Sequence, residues 1–158
     1  MPSAAQYQEA RARVAKAKHE AQEMVKQVFN DEAQALLEEM GIKSFGWTQY
    51  TPYFNDGDAC VFSAHVDYPY INDYDEDGES LSGEEDESAA LPGRPDYSLA
   101  NTDRAEYDRQ YRAYREPYEK VANFLRGYEE EDLEFMFGDH CIVTVARDGI
   151  HVEEYSHD

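Results

Sequence analysis

The chain has 158 residues and a formal net charge of −21, from 35 acidic and 14 basic side chains. That length fits one domain with a core of its own. The charge argues against bare DNA, RNA and anionic membrane as partners, because phosphate contacts need Lys and Arg; it favours a partner with a basic surface, or a cation.

Thirteen Tyr, seven Phe and one Trp supply large apolar side chains and argue for a folded chain despite the low hydropathy. No apolar run approaches the roughly 18 residues that span a bilayer, and the N-terminus lacks a signal-peptide layout, so the expected location is cytoplasmic. Cys60 and Cys141 cannot make a disulfide framework, and each sits in an apolar run, so both are expected in the core. The charge is uneven. Residues 1–43 carry seven acidic and six basic side chains and residues 94–127 six and seven, whereas residues 44–93 hold twelve carboxylates without Lys or Arg and residues 128–158 ten against Arg147 alone.

Ser3 to about Val28 is rich in Ala, Gln, Glu, Lys and Arg, free of Gly and Pro, and predicts a long helix. Tyr7, Ala10, Val14, Ala17, Ala21, Met24 and Val28 recur at alternating steps of three and four, the spacing of a coiled-coil seam. Such a seam suits either the protein's own sheet or a second copy. Its Ala-lined face and its length of about three heptads favour the sheet, and hence a monomer over a homodimer. Asn30 or Asp31 is expected to cap a second helical piece that ends near Met40, before Gly41.

The runs Phe45 to Phe54 and Cys60 to Val66 flank Asn55-Asp56-Gly57-Asp58 and predict a hairpin. His140 to Ala146 and Ile150 to Tyr155 flank Arg147-Asp148-Gly149 and predict another. Alternation sets Cys60, Phe62, Ala64 and Val66 on one face, and likewise Cys141, Val143 and Val145. The expected fold is α+β: a long N-terminal helix and central helices packed on a four-stranded antiparallel sheet formed by the two hairpins, all in one domain. Between the hairpins, Asn72 to Pro95 reads as a long, acidic, partly disordered loop. Residues 102–127 return to helix, capped by Asn101 or Thr102, with Pro117 kinking it or starting a new segment. Its stripe Tyr107, Tyr111, Tyr114 and Tyr118 is expected to be a core face with hydroxyls at the rim. Glu129 to Phe137 predicts a short acidic helix, stopped by Gly138.

The run from Trp47 to Phe62, with the ending Met136 to Asp158, resembles a family of small acidic proteins encoded by tailed bacteriophages and some bacteria. The two blocks cover about a quarter of the chain. The likeness implies a phage genomic setting and, by association, a host-directed or anti-defence role; the family carries no established activity and so implies no mechanism.

The two cation-depleted segments nominate Asp56, Asp58, Asp67, Glu129, Glu130, Glu131, Asp132, Glu153 and Glu154 as an acidic binding surface. The leading expectation is a non-enzymatic interaction protein that engages a basic site on a host nucleic-acid-binding protein, as a DNA mimic. A second reading is a calcium module. Asp73-Tyr-Asp75-Glu-Asp77-Gly78-Glu79-Ser-Leu-Ser-Gly-Glu84 satisfies the twelve-residue calcium-loop template, with Asp73, Asp75 and Asp77 as monodentate ligands, Glu79 through its carbonyl and Glu84 as the bidentate close. Against it, the preceding residues read as strand and contain Pro69, and Ser80 stands where an apolar residue normally packs. A third reading leaves the charge with no role beyond solubility. The leading reading needs no cofactor, and the second needs calcium. Cys60, His65, His140, Cys141 and His151 lack zinc-site spacing, and no catalytic signature is present, so no enzyme is expected.

Overall fold

The computed structural model describes residues 3–53, 57, 60–83 and 93–156. Its first element starts at a capping box: the Gln6 N–H donates to Ser3 Oγ and the Ser3 N–H donates to Gln6 Oε1, satisfying donors that a helix start leaves open. Helix α1 then runs from Ala4 to Met40, 37 residues and roughly 55 Å. The expected break at Asn30 or Asp31 is absent; no Gly or Pro interrupts the helix before Gly41, whose φ of 66° closes it.

The seam does not pack on the sheet. Tyr7, Val14, Met24 and Val28 are 60, 60, 70 and 49 % exposed, and every residue from Ser3 to Ala21 lies on the surface. Helix α1 meets the body through half-buried Gln22 and Val25 and through buried Phe29, Ala33, Leu36 and Leu37. Gln22, Val25 and Phe29 each follow a seam residue, so the inward stripe is turned about 100° from the seam. Phe29 faces the core while Val28 turns away.

Strand β1 (Ser44–Tyr50) is the axis of the sheet. It pairs antiparallel with β4 (Cys141–Ala146), from Ser44 opposite Ala146 to Gln49 opposite Cys141. Strand β4 turns through Arg147-Asp148 into β5 (Gly149–Glu154), so the second hairpin forms as expected. The other side of β1 differs from expectation. Two short strands share it: β2 (Ser63–Ala64) against Gln49 and Tyr50, and β3 (Tyr70–Ile71) against Phe45 and Gly46. The sheet therefore has five strands, in the order β2-β1-β4-β5 with β3 also on β1. Strand β2 ends early because the Val66 N–H turns back on the Ala64 carbonyl at 2.9 Å. Cys60, expected in the core, is exposed, while Cys141 is buried. The turn residues Asn55, Asp56 and Asp58 lie outside the described residues.

Phe45, Trp47 and Gln49 alternate inward on β1, as do Cys141, Val143 and Val145 on β4. Helices cover this face, and the fold is α+β. Phe29 sits at the centre, its ring 6.1 Å from Trp47, 5.6 Å from Phe124, 5.0 Å from Tyr128 and 5.3 Å from Phe137.

Helices α2 (Ser98–Thr102) and α3 (Arg104–Arg126) are separated at Asp103, whose extended backbone breaks the run. Its carboxylate accepts from the Glu106 N–H at 3.1 Å, so Asp103 and not Asn101 or Thr102 caps α3. Helix α3 continues through Pro117. The tyrosine stripe is core only in its second half: Tyr114 and Tyr118 are buried, Tyr107 and Tyr111 half-buried. The Tyr114 hydroxyl donates to the Glu76 carbonyl at 3.0 Å, and the Tyr118 hydroxyl lies 3.1 Å from both the Tyr74 and Asp75 carbonyls. These bonds order residues 72–83, where a solvated loop is expected, and Tyr74 is buried. Residues 84–92 of that loop lie outside the described residues. Helix α4 (Glu130–Phe137) forms as expected and ends at Gly138. Among the described residues no helix is long and apolar enough to cross a membrane.

Candidate acidic interface

Antiparallel register aligns Ala64, Gln49, Cys141 and Glu154 in a row across β2, β1, β4 and β5. Three strand spacings make this row roughly 14 Å wide. At its β2 end, Glu130 Oε1 accepts from Ser63 Oγ at 3.2 Å and from the Ala64 N–H at 3.3 Å, which docks the start of α4 against the edge. Glu130, Glu131 and Asp132 form the first turn of α4 behind Glu129, where a helix N-terminus stabilises negative charge. At the β5 end Glu153 and Glu154 are exposed and, as strand neighbours, point to opposite faces. The α4 and β5 carboxylates thus flank the same end of the sheet from its opposite edges. Arg147 sits in the β4–β5 turn at the other.

Asp139, which nothing in the sequence singles out, lies between these groups. Its carboxylate accepts from the Thr51 N–H and hydroxyl, each at 2.7 Å, and from the His140 N–H at 2.8 Å. Partial burial pushes this carboxyl up, but the Thr51 and His140 hydrogen bonds outweigh it and hold the pKa below the ordinary value. An Asp after a helix-stopping Gly reads as turn chemistry, and Thr51 is 88 residues away. Rings surround this end: Tyr53 stacks on His140 at 4.9 Å, and Tyr50 lies 4.5 Å from His65 and 5.6 Å from Tyr155.

Arg104, Arg109, Arg115 and Lys120 of α3 are engaged elsewhere. Arg104 pairs with Asp108, Arg109 with Glu106, Arg115 with Glu76 and Glu119, and Lys120 with Glu39. Arg126 holds Asp67 at 2.7 Å, so the charge of that nominated residue is countered within the chain. Asp56 and Asp58 lie outside the described residues. Glu129, Glu130, Glu131, Asp132, Glu153 and Glu154 form no ion pair among the described residues.

The carboxylates of the calcium template cap the turns of their own loop. Asp73 accepts from Ser80 Oγ at 2.6 Å, Ser82 Oγ at 2.7 Å and the Ser82 N–H at 3.0 Å. Asp75 Oδ1 accepts from the Asp77 and Glu79 N–H groups, both at 2.9 Å, and the Glu79 carbonyl accepts from the Asp75 N–H at 3.0 Å. Asp77 faces Arg94 at 3.7 Å. Glu84, the proposed bidentate ligand, lies outside the described residues; among those described, no group of three His, Cys, Asp or Glu side chains is placed to hold a metal. Burial pushes the Cys141 thiol up to about 11, which keeps it protonated. An open groove of about 590 Å³ runs along α3, lined by Asp108, Tyr111, Arg112, Arg115, Glu116 and Glu119, a mixed-charge surface without Ser, Cys or His.

Comparison with family models, with curated proteins and with solved structures finds no match to this chain.

Proposed function

We propose that the chain is a non-enzymatic interaction protein whose acidic sheet end engages a basic, nucleic-acid-binding site on a protein partner, as a mimic of DNA. The observation that supports this reading is that Glu129 to Asp132 and Glu153 with Glu154 flank the same end of the sheet from its two edges, with Arg147 at the opposite end. Ionised carboxylates, like phosphates, are anionic acceptors, and Arg forks recognise either group. The resemblance to phage-encoded acidic proteins adds the setting: the host cytoplasm, with a host defence protein as target.

Capture of partners at low salt tests this reading with wild type and a variant carrying Glu129→Gln, Glu131→Gln, Glu153→Gln and Glu154→Gln. The expected result is retention of a nucleic-acid-binding protein that salt or competing DNA releases, and its loss in the variant. Failure to recover any nucleic-acid-binding partner at low salt, or equal capture by both proteins, sinks the reading and leaves the charge serving solubility.

A further inference from the structure

The first half of α1 leaves the body as a projecting helix: Ala4 to Ala21, roughly 27 Å, is exposed at every residue. Its apolar stripe is the seam from Tyr7, which continues past Ala21 to Met24 and Val28. We infer that this seam is the docking surface for a second copy of the chain, paired antiparallel, with Val14 opposite the second copy's Ala17. In that register Tyr7 meets the second copy's Met24 and Ala21 meets its Ala10, so a large layer near each end encloses small inner layers.

Charge selects this alignment. The flank just before each heptad's first seam position carries Gln6, Arg13, Glu20 and Gln27. In the proposed register Arg13 faces the second copy's Glu20, and Gln6 its Gln27, both pairs occurring twice by symmetry. Sliding one heptad either way sets Glu20 against Glu20 or Arg13 against Arg13. A parallel pair sets Arg13 against Lys18, which is repulsive. The other flank brings Arg11 to Lys18, also twice, which offsets the Arg13–Glu20 attraction. A slide of one heptad loses that attraction and keeps like-charge contacts on both flanks, Glu20–Glu20 with Lys18–Lys18 or Arg13–Arg13 with Arg11–Arg11, so the proposed register is the least repulsive of the three. The capping box and the Glu9–Arg13 bridge at 3.0 Å keep the free helix ordered, so pairing costs little conformational entropy.

Light scattering across a dilution series, with melting followed in parallel, tests this. Wild type is expected to double from 18.2 kDa as concentration rises. Val14→Asp is expected to stay monomeric and to melt where wild type melts when diluted to the monomer, since Val14 is 60 % exposed in its own chain. Arg13→Glu is expected to weaken the dimer, Arg13→Glu with Glu20→Arg to restore it, and Lys18→Glu to tighten it. A mass of one chain at every concentration overturns the proposal, as does a dimer that survives Val14→Asp. A dimer tightened by Arg13→Glu overturns the antiparallel geometry, because in a parallel pair that substitution turns the repulsion from Lys18 into an attraction.

Discussion

The Trp47 indole N–H donates to Gln49 Oε1 at 2.9 Å, and neither side chain reaches solvent. Gln49 then donates from Nε2 to the Leu133 carbonyl at 2.9 Å and the Gly138 carbonyl at 2.7 Å. One buried amide so joins β1 to the middle and end of α4, and fixes the helix whose first turn carries Glu130, Glu131 and Asp132. Gln49→Leu roughly keeps the volume but removes all three bonds; the buried Trp47 N–H is left without its acceptor, at about 1–3 kcal/mol, while the Gly138 carbonyl keeps the Cys141 thiol. The expected loss is about 3 kcal/mol in urea unfolding, followed through the fluorescence of Trp47, the single tryptophan. An unchanged midpoint would show that the amide does not hold α4.

Gly46 lies where two layers touch. A Cβ there would meet the Val143 carbonyl oxygen at 2.6 Å and Leu81 Cδ2 at 2.8 Å. Leu81 can swing aside, but the backbone of β4 cannot. Gly46→Ala is expected to cost about 2 kcal/mol or more. Hydrogen exchange should show faster amides in residues 70–82 than in β5, because the displaced Leu81 belongs to the segment that Tyr114 and Tyr118 hold. Uniform acceleration across the sheet would refute this local route.

Elements set by local chemistry were legible in the sequence. The β4–β5 hairpin has its turn and its alternation within 14 residues, and α4 has its acidic start and its Gly138 stop. Pairings set at long range were not. The regular seam of α1 outweighs the inward stripe in the sequence because its apolar residues are evenly spaced, whereas the stripe starts at polar Gln22. Nothing local says that β1 shares one edge between β2 and β3. Gln49 falls in phase with Phe45 and Trp47, yet a polar residue there reads as a strand end, since its partners come from α4 and from Gly138. Of the nominated acidic residues, the α4 and β5 sets lie at opposite edges of one end of the sheet, a placement that comes from the register of β1 with β4 and not from the charge pattern, and the pairing of Asp67 with Arg126 likewise needs the tertiary fold.

The calcium template makes a separate prediction. Asp73 accepts three hydrogen bonds from Ser80 and Ser82, so Asp73→Ala is expected to lower stability by about 1–2 kcal/mol with no calcium present. Chelator and calcium are both expected to leave the wild-type melting temperature unchanged. A rise in melting temperature at millimolar calcium, lost with Asp73→Ala, would assign the loop to the cation instead.

Alkaline pH should expose the buried acids of the core. Burial is the main cause raising the pKa of Tyr118, with Tyr114 adding to it, and burial together with the bond to Glu32 raises Tyr128. Burial also lifts the Cys141 thiol from 9.0 to about 11. Each group keeps its proton in the folded chain at a pH where the unfolded chain has released it. The stabilisation is therefore whole below the unfolded values of 9.0 for the thiol and 10.0 for the phenols, and is lost as pH rises above them. Melting temperatures should hold level near about pH 8 and fall steadily toward about pH 11. Tyr118→Phe should lower the plateau, because the bonds to the Tyr74 and Asp75 carbonyls are gone, and should flatten the alkaline fall, because one raised group is gone. A wild-type curve that stays level to about pH 11, or a Tyr118→Phe curve that falls as steeply as wild type, would show that these hydroxyls are not the groups that set the alkaline limit.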